Sequence, residues 1–170
     1  QLDADILGPA MFGSGSLDSY LPNARVDNAV AYRGTFSGFT VGATYSLGRD
    51  SVNAGPSPAG TNCAGESGTD TKACRQWSLL AKYDTAQWGL SAAVDEIRGG
   101  AGAFAGLTSS AMTDRRSTVA GWGKWGDLKV GAGLIARRNE ASATTPRSTL
   151  WYVGAAYPIT PQFVLDGQVF

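Results

Sequence analysis

From Phe39 to Leu47 the chain alternates: Phe39, Val41, Ala43, Tyr45 and Leu47 share one side of an extended strand, and Thr40, Gly42, Thr44 and Ser46 the other. A period of two predicts a β-strand with one apolar face. The pattern recurs along the chain and predicts strands over Arg25–Arg33, Phe39–Leu47, Gln76–Asp84, Trp88–Glu96, Arg116–Trp125, Leu128–Arg137, Ser148–Tyr157 and Gln162–Phe170. Each is about nine or ten residues long, against the ~9–11 that a tilted strand needs to cross a bilayer and the ~5–6 typical of soluble sheets. The connections alternate in length. Short turns at 34–38, 85–87, 126–127 and 158–161 switch with long segments at 48–75, 97–115 and 138–147, which puts all short turns at one end of the sheet and all long loops at the other.

One hairpin fixes the faces. A two-residue turn at Gly126-Asp127 sets Trp125 opposite Leu128, and opposed residues share a face. Carrying parity outward groups Val119, Trp125, Leu128, Val130, Leu134, then Val30, Tyr32, Trp77, Leu79, Tyr83, Trp88, Leu90, Val94, Trp151, Val153, Tyr157, Phe163, Leu165 and Val169 on the apolar side, where Glu96 is the one expected charge. The other side collects Arg25, Asp27, Arg33, Lys82, Asp84, Asp95, Lys124, Lys129, Arg137 and Asp166, with Arg116 on the same parity. A charge facing hydrocarbon at mid-bilayer costs ~2–4 kcal/mol in a barrel, so these must look into water. Tyr32, Tyr83, Trp88, Trp125, Tyr157 and Phe163 are expected beside the short turns on the outward face, where an interfacial girdle belongs. The alternative is a soluble β-sandwich with one dry face, but the chain offers almost no second apolar layer to supply it.

Composition narrows the reading. The chain has 170 residues with 14 basic and 14 acidic side chains, so no bulk charge points to nucleic acid. Glycine, at 23 residues, is near twice the usual ~7%. No stretch approaches the ~20 apolar residues of a spanning helix, so a membrane reading is a barrel reading. Histidine is absent and there are two cysteines, which removes the commonest metal ligands and the usual proton shuttle; no cofactor or metal is expected. Cys63 and Cys74 fall in one polar, Gly-rich segment and in an oxidising compartment would close a short loop; two unpaired thiols are the alternative. Residues 1–23 show no sustained period and read as an ordered loop with up to one short turn of helix. A barrel that opens on such a loop, with no initiator Met or secretory leader, reads as a processed chain or an internal piece.

The string ARVDNAVAYRGTFSGFTVGATYSLG resembles the hairpin that follows the constriction loop in trimeric general porins of β- and γ-proteobacterial type, especially the neisserial and burkholderial group. Similar echoes run through QWSLLAKYDTAQWGLSAAVDEIRGG, GDLKVGAGLIARRNE and LWYVGAAYPITPQFVLDGQVF. The resemblance implies an all-β transmembrane antiparallel barrel of 16 strands, of which this chain supplies about eight, assembled as a homotrimer in the bacterial outer membrane among lipid and lipopolysaccharide. It implies that residues 1–23 are the remainder of a third loop folded into the lumen and 24–170 a partial barrel. Phe170 sits after Val169 in a segment resembling an internal strand, and reads as a cut point.

A diffusion pore does no covalent chemistry; it filters by size and by the field at its narrowest section. In the family, acidic residues on the inserted loop face basic residues on the wall. By that mapping Asp3, Asp5 and Asp18 are the loop candidates, with a solvated turn role as the alternative, and Arg25 is the wall candidate because it opens the matching hairpin. Asp27, Arg33, Lys82, Asp84, Asp95, Lys124, Lys129, Arg137 and Asp166 are expected along the lumen, with Asp27, Asp84 and Asp166 more readily explained as partners of neighbouring bases. Lumenal bases outnumber acids six to four by parity, a lead that the three loop aspartates offset. Gly42, Gly89, Gly131 and Gly133 also point inward, either leaving room for the folded loop or permitting curvature. The expected function is passive passage of small hydrophilic solutes and ions. The competing readings are a small eight-stranded barrel of structural or adhesion type, whose filled interior fits ten charges poorly, and an outer-membrane enzyme, which would lack a base to activate any nucleophile.

Overall fold

The computed structural model describes residues 28–48, 63, 65–103, 106–141 and 146–170. Eight strands are present: β1 (Ala29–Phe36), β2 (Phe39–Ser46), β3 (Gln76–Asp84), β4 (Trp88–Arg98), β5 (Thr113–Trp125), β6 (Leu128–Asn139), β7 (Arg147–Thr160) and β8 (Phe163–Val169). They form one antiparallel sheet in chain order, with β1 and β8 at its two edges. The eight strands are therefore an open sheet and do not close on themselves. Among the described residues there is no second layer to make a sandwich, and no helix is long and apolar enough to cross a membrane.

Local chemistry sets the turns. Ser37 and Gly38 both take positive φ, 48° and 84°, in a two-residue loop that sets Phe36 opposite Phe39, the backbone a right-twisted hairpin requires. This turn is tighter than the 34–38 segment expected, because Thr35 and Phe36 stay paired with Thr40 and Phe39. Gly126 alone has positive φ at the β5–β6 turn, and Trp125 opposes Leu128 across it. Between β3 and β4, the Thr85 hydroxyl accepts the Gln87 and Trp88 N–H groups at 3.2 and 2.9 Å, a side-chain turn that needs no glycine.

The registers put Val30, Leu79, Leu90, Val119, Leu134, Trp151 and Leu165 on one face and Arg33, Thr40, Ser91, Thr118, Arg116 and Lys129 on the other. Exposure runs opposite to a water-soluble sheet. Val119 is 61% exposed, while its neighbour Thr118 is 3% exposed. The small core of Ala120, Ile135 and Tyr152, with Leu150 against it, also lies on the polar face. Side chains on that face cover one another, as on the inside of a coiled sheet, and the large apolar side chains point away from any protein.

Two expectations are corrected. First, β4 to β7 run beyond their expected limits at the long-loop end, reaching Arg98, Thr113, Asn139 and Arg147. The added residues bring Arg98, Arg115, Arg138 and Arg147 onto the apolar face beside Glu96, so that face is not free of further charge. Alternation could not show this, because polar residues occupy both faces there. Second, Tyr32 sits mid-strand opposite Ala43; the aromatic pair at that turn is Phe36 and Phe39. Tyr83 and Trp88 do flank the next turn, with ring centroids 5.5 Å apart.

At the long-loop end, Cys63 and Cys74 form a disulfide with Cα atoms 5.7 Å apart. A Cβ placed on Gly100 would come within 2.8 Å of Cys74 Sγ and 3.1 Å of Cys63 Sγ, so the disulfide lies against the β4–β5 connection. The Cys74 N–H donates to the Gly99 carbonyl at 3.0 Å, and the Asp70 carboxylate accepts the Ser110 N–H at 3.2 Å. Hydrogen bonding from Ser110 holds the Asp70 carboxyl below the usual carboxylate range. The β2–β3 and β4–β5 connections are thus stapled to each other above the sheet.

Candidate functional site

The polar face is built in tiers that follow the cross-strand rows. Nearest the long loops, Asp95, Arg116 and Arg137 oppose one another across β4, β5 and β6, with Asp114 one tier further out on β5. The Asp114 carboxylate accepts hydrogen bonds from Arg116 Nη2 at 3.1 Å, Arg137 Nε at 3.0 Å and Arg137 Nη2 at 2.6 Å. Arg116 Nη1 reaches Asp95 Oδ2 at 3.2 Å. Asp114 and Arg116 are completely or almost completely buried. Two acids and two bases thus neutralise each other inside the wall, and each guanidinium is held in a fixed direction by a charge-assisted bond.

Nearest the short turns, Lys82 Nζ lies 2.9 Å from Asp84 Oδ2. The Trp122 indole N–H donates to Asp84 Oδ1 at 3.0 Å, crossing β4 above Gly89. Any Cβ at Gly89 would collide with both Trp122 Nε1 and Asp84 Oδ1. Lys124 and Lys129 directly oppose each other, a repulsive arrangement. Lys129 turns aside over the Trp122 ring, its Nζ 4.8 Å from the centroid. Asp166 sits on the same face, two strands beyond β6, opposite Ala156.

Between the tiers the wall is lined by small side chains. A cavity of about 460 Å³ opens over Ala31, Gly42, Thr44, Ser78 and Ala93, with Arg33 on one flank and Asp95 on the other. Gly133 is occupied differently from Gly42: the Tyr152 ring lies where its Cβ would be. Inward glycines on this sheet therefore serve side-chain packing at Gly89 and Gly133, whereas a Cβ at Gly42 would make only ordinary contact with Leu80 at the cavity wall.

The structure places Arg33, Lys82, Asp84, Asp95, Lys124, Lys129, Arg137 and Asp166 on this one face. It brings Asp95 and Arg137 together only through Arg116 and Asp114, and leaves Arg33 and Asp166 at opposite ends of the sheet. Arg25, Asp27, Asp3, Asp5 and Asp18 lie outside the described residues. Asp114, Arg116, Trp122 and Tyr152 were missed as site residues. Arg116 shares parity with Lys124, and stepping back two residues finds Asp114; Trp122 is the aromatic that breaks the polar pattern. Among the described residues no group of His, Cys, Asp or Glu could hold a metal ion.

This face thus joins fixed, paired charges to a trough, while large apolar side chains such as Val119, Leu134 and Trp151 stand exposed on the other face. No individual curated protein matches the chain. The family model for the Gram-negative porin matches residues 3–166. With nearly the whole chain covered, the protein belongs to the Gram-negative porin family, channels of the bacterial outer membrane.

Proposed function

We propose that the chain forms part of the wall of a water-filled pore for passive diffusion of small hydrophilic solutes and ions, in a 16-stranded barrel assembled as a homotrimer. On this reading residues 1–23 belong to the loop that narrows the lumen and residues 24–170 to the barrel. The observation that carries it is the separation of faces: ionised groups and the half-open trough on one, Val119, Leu134 and Trp151 exposed on the other. Family membership points to a channel rather than an enzyme. The paired charges support filtering by an organised field instead of by a binding pocket: a base and an acid flank the trough at Arg33 and Asp95. A solute passing between them meets a transverse field that orients its dipole.

Asp3, Asp5 and Asp18 supply the acidic side of the narrowest section and Arg25 the basic side. The test is planar-bilayer conductance and reversal potential for the full-length protein and its Arg25→Ala variant. Loss of a basic wall group is expected to widen the pore, raise single-channel conductance and shift the reversal potential towards cation preference. Unchanged conductance together with unchanged selectivity would remove Arg25 from the constriction.

A further inference from the structure

The two halves of the Cys63–Cys74 disulfide are held very differently. Cys74 belongs to the sheet: its N–H donates to the Gly99 carbonyl at 3.0 Å, and the Arg98 N–H donates to the Arg75 carbonyl at 2.9 Å, so the β3–β4 ladder runs on past Gln76. On its other flank, the Cys74 carbonyl oxygen lies 2.8 Å from where a Cβ on Gly48 would stand. Cys63 makes no hydrogen bond to another of the described residues. The disulfide is what ties it to the sheet.

The two sulfurs also differ in access. Cys74 is buried, as are Ala73 and Leu107, whereas Cys63 is half-buried. Cys74 Sγ accepts the Gly65 N–H at 3.1 Å. Thiol–disulfide exchange goes to the sulfur that an incoming thiolate can reach, and expels the one whose negative charge is better stabilised. Both conditions favour attack at Cys63 and departure of Cys74.

Opening this bond leaves its surroundings in place. Ser46, Gln76 and Ile97 stay paired across β2, β3 and β4. The Ser67–Asp70 bridge closes its turn without the disulfide, and Asp70 and Arg98 hold the Ser110 N–H and carbonyl at 3.2 and 3.1 Å. Release is therefore confined to residue 63 and does not undo the sheet. The long-loop end of an outer-membrane barrel faces the exterior, where small thiols have access.

We propose that the Cys63–Cys74 disulfide is an exchangeable clasp, with Cys63 the modification site for a small external thiol. The thiolate bonds to Cys63 Sγ, the bond between the two Sγ atoms breaks, and its electron pair leaves on Cys74 Sγ, which takes up the proton that the thiol gave to solvent. One disulfide replaces another, so the step needs no separate oxidant or reductant. Cys74, fixed in the sheet, is positioned to attack the mixed disulfide and restore the bond when the external thiol is withdrawn. In the exchanged state the β2–β3 connection is no longer tied through residue 63 to the β4–β5 connection. The inference does not depend on which solutes the pore passes.

The test treats the refolded full-length protein in phosphatidylcholine vesicles with glutathione, traps free thiols with iodoacetamide and maps both groups by peptide mass spectrometry. Glutathione is expected on Cys63 and the alkyl group on Cys74, with the reverse assignment about tenfold rarer or less. Gly100→Ala, whose new Cβ would meet Cys74 Sγ at 2.8 Å, is expected to raise the exchanged fraction about tenfold at a fixed glutathione concentration. Single-channel conductance is expected to persist after exchange, and withdrawal of glutathione to restore the disulfide. Glutathione found mainly on Cys74, or a bond that stays intact in excess glutathione, would overturn the clasp. An exchanged fraction that Gly100→Ala leaves unchanged would remove the packing against the β4–β5 connection on which it depends. Loss of conductance on exchange would also overturn it, by making the bond part of the barrel's own fold. Failure of the pore reading itself would show instead as absent conductance in the untreated protein.

Discussion

Replacing Asp114 with Ala is expected to destabilise the barrel by about 3–5 kcal/mol, the range for removing one partner from a buried ion pair. Asp114 is completely buried and its carboxylate bonds both Arg116 and Arg137. Without it, Arg116 and Arg137 both lose the carboxylate they share, while the Arg116 bond to Asp95 stays. The cost is mostly that of leaving a desolvated cation uncompensated, not the net worth of the original pair. Asp114→Asn keeps the volume and one acceptor oxygen and is expected to cost less. Urea unfolding of the full-length protein in lipid vesicles, followed by tryptophan fluorescence, measures both. A loss for Asp114→Ala below about 1 kcal/mol, the scale of a solvated surface pair, would mean that water already screens this cluster.

Leu134→Arg is the second large effect, expected at about 2–4 kcal/mol because it points a charge into mid-bilayer hydrocarbon. Leu134 is exposed on the apolar face and lies in a row with Val119 and Trp151, six residues from the short turn. Its paired control is Ser78→Lys on the opposite face. Ser78 lies opposite Asp95 at the edge of the trough, so the new ammonium gains a carboxylate and stays in water. That change is expected within about 0.5 kcal/mol of wild type. The same unfolding assay reads the contrast, and equal costs for the two substitutions would refute a lipid-facing Leu134.

Most of the sheet was legible because period-two alternation is strongest where the two environments differ most. Between Leu128 and Ala136, one side needs hydrocarbon-compatible groups and the other does not, so parity assigns each residue. Above that band both faces are wet and the contrast disappears. For that reason Arg98, Arg115, Arg138 and Arg147 escaped the strand assignment, and Asp114 with them. Tyr32 misled for a different reason: its distance from the turn depends on where the two-residue loop falls, and Ser37 adopting positive φ moved that point beyond 34–36. The Trp122 bond to Asp84 over Gly89 depends on side-chain reach across a strand, which periodicity does not encode. Like-charged Lys124 and Lys129 could have been read as opposed from the Gly126-Asp127 turn alone. The refuge of Lys129 over Trp122 could not.

The claim on which all of this depends is that the apolar face touches acyl chains while the polar face touches water. The chain has five tryptophans, of which Trp77, Trp88, Trp125 and Trp151 share the apolar face and Trp122 the polar one. The direct measurement is fluorescence quenching of two variants of the full-length protein in vesicles, one keeping only Trp151 and the other only Trp122, the rest changed to Phe. Lipids brominated on their acyl chains are expected to quench Trp151 strongly and Trp122 weakly, and aqueous iodide to do the reverse. Lipid quenching of Trp122 with iodide quenching of Trp151 would contradict the account.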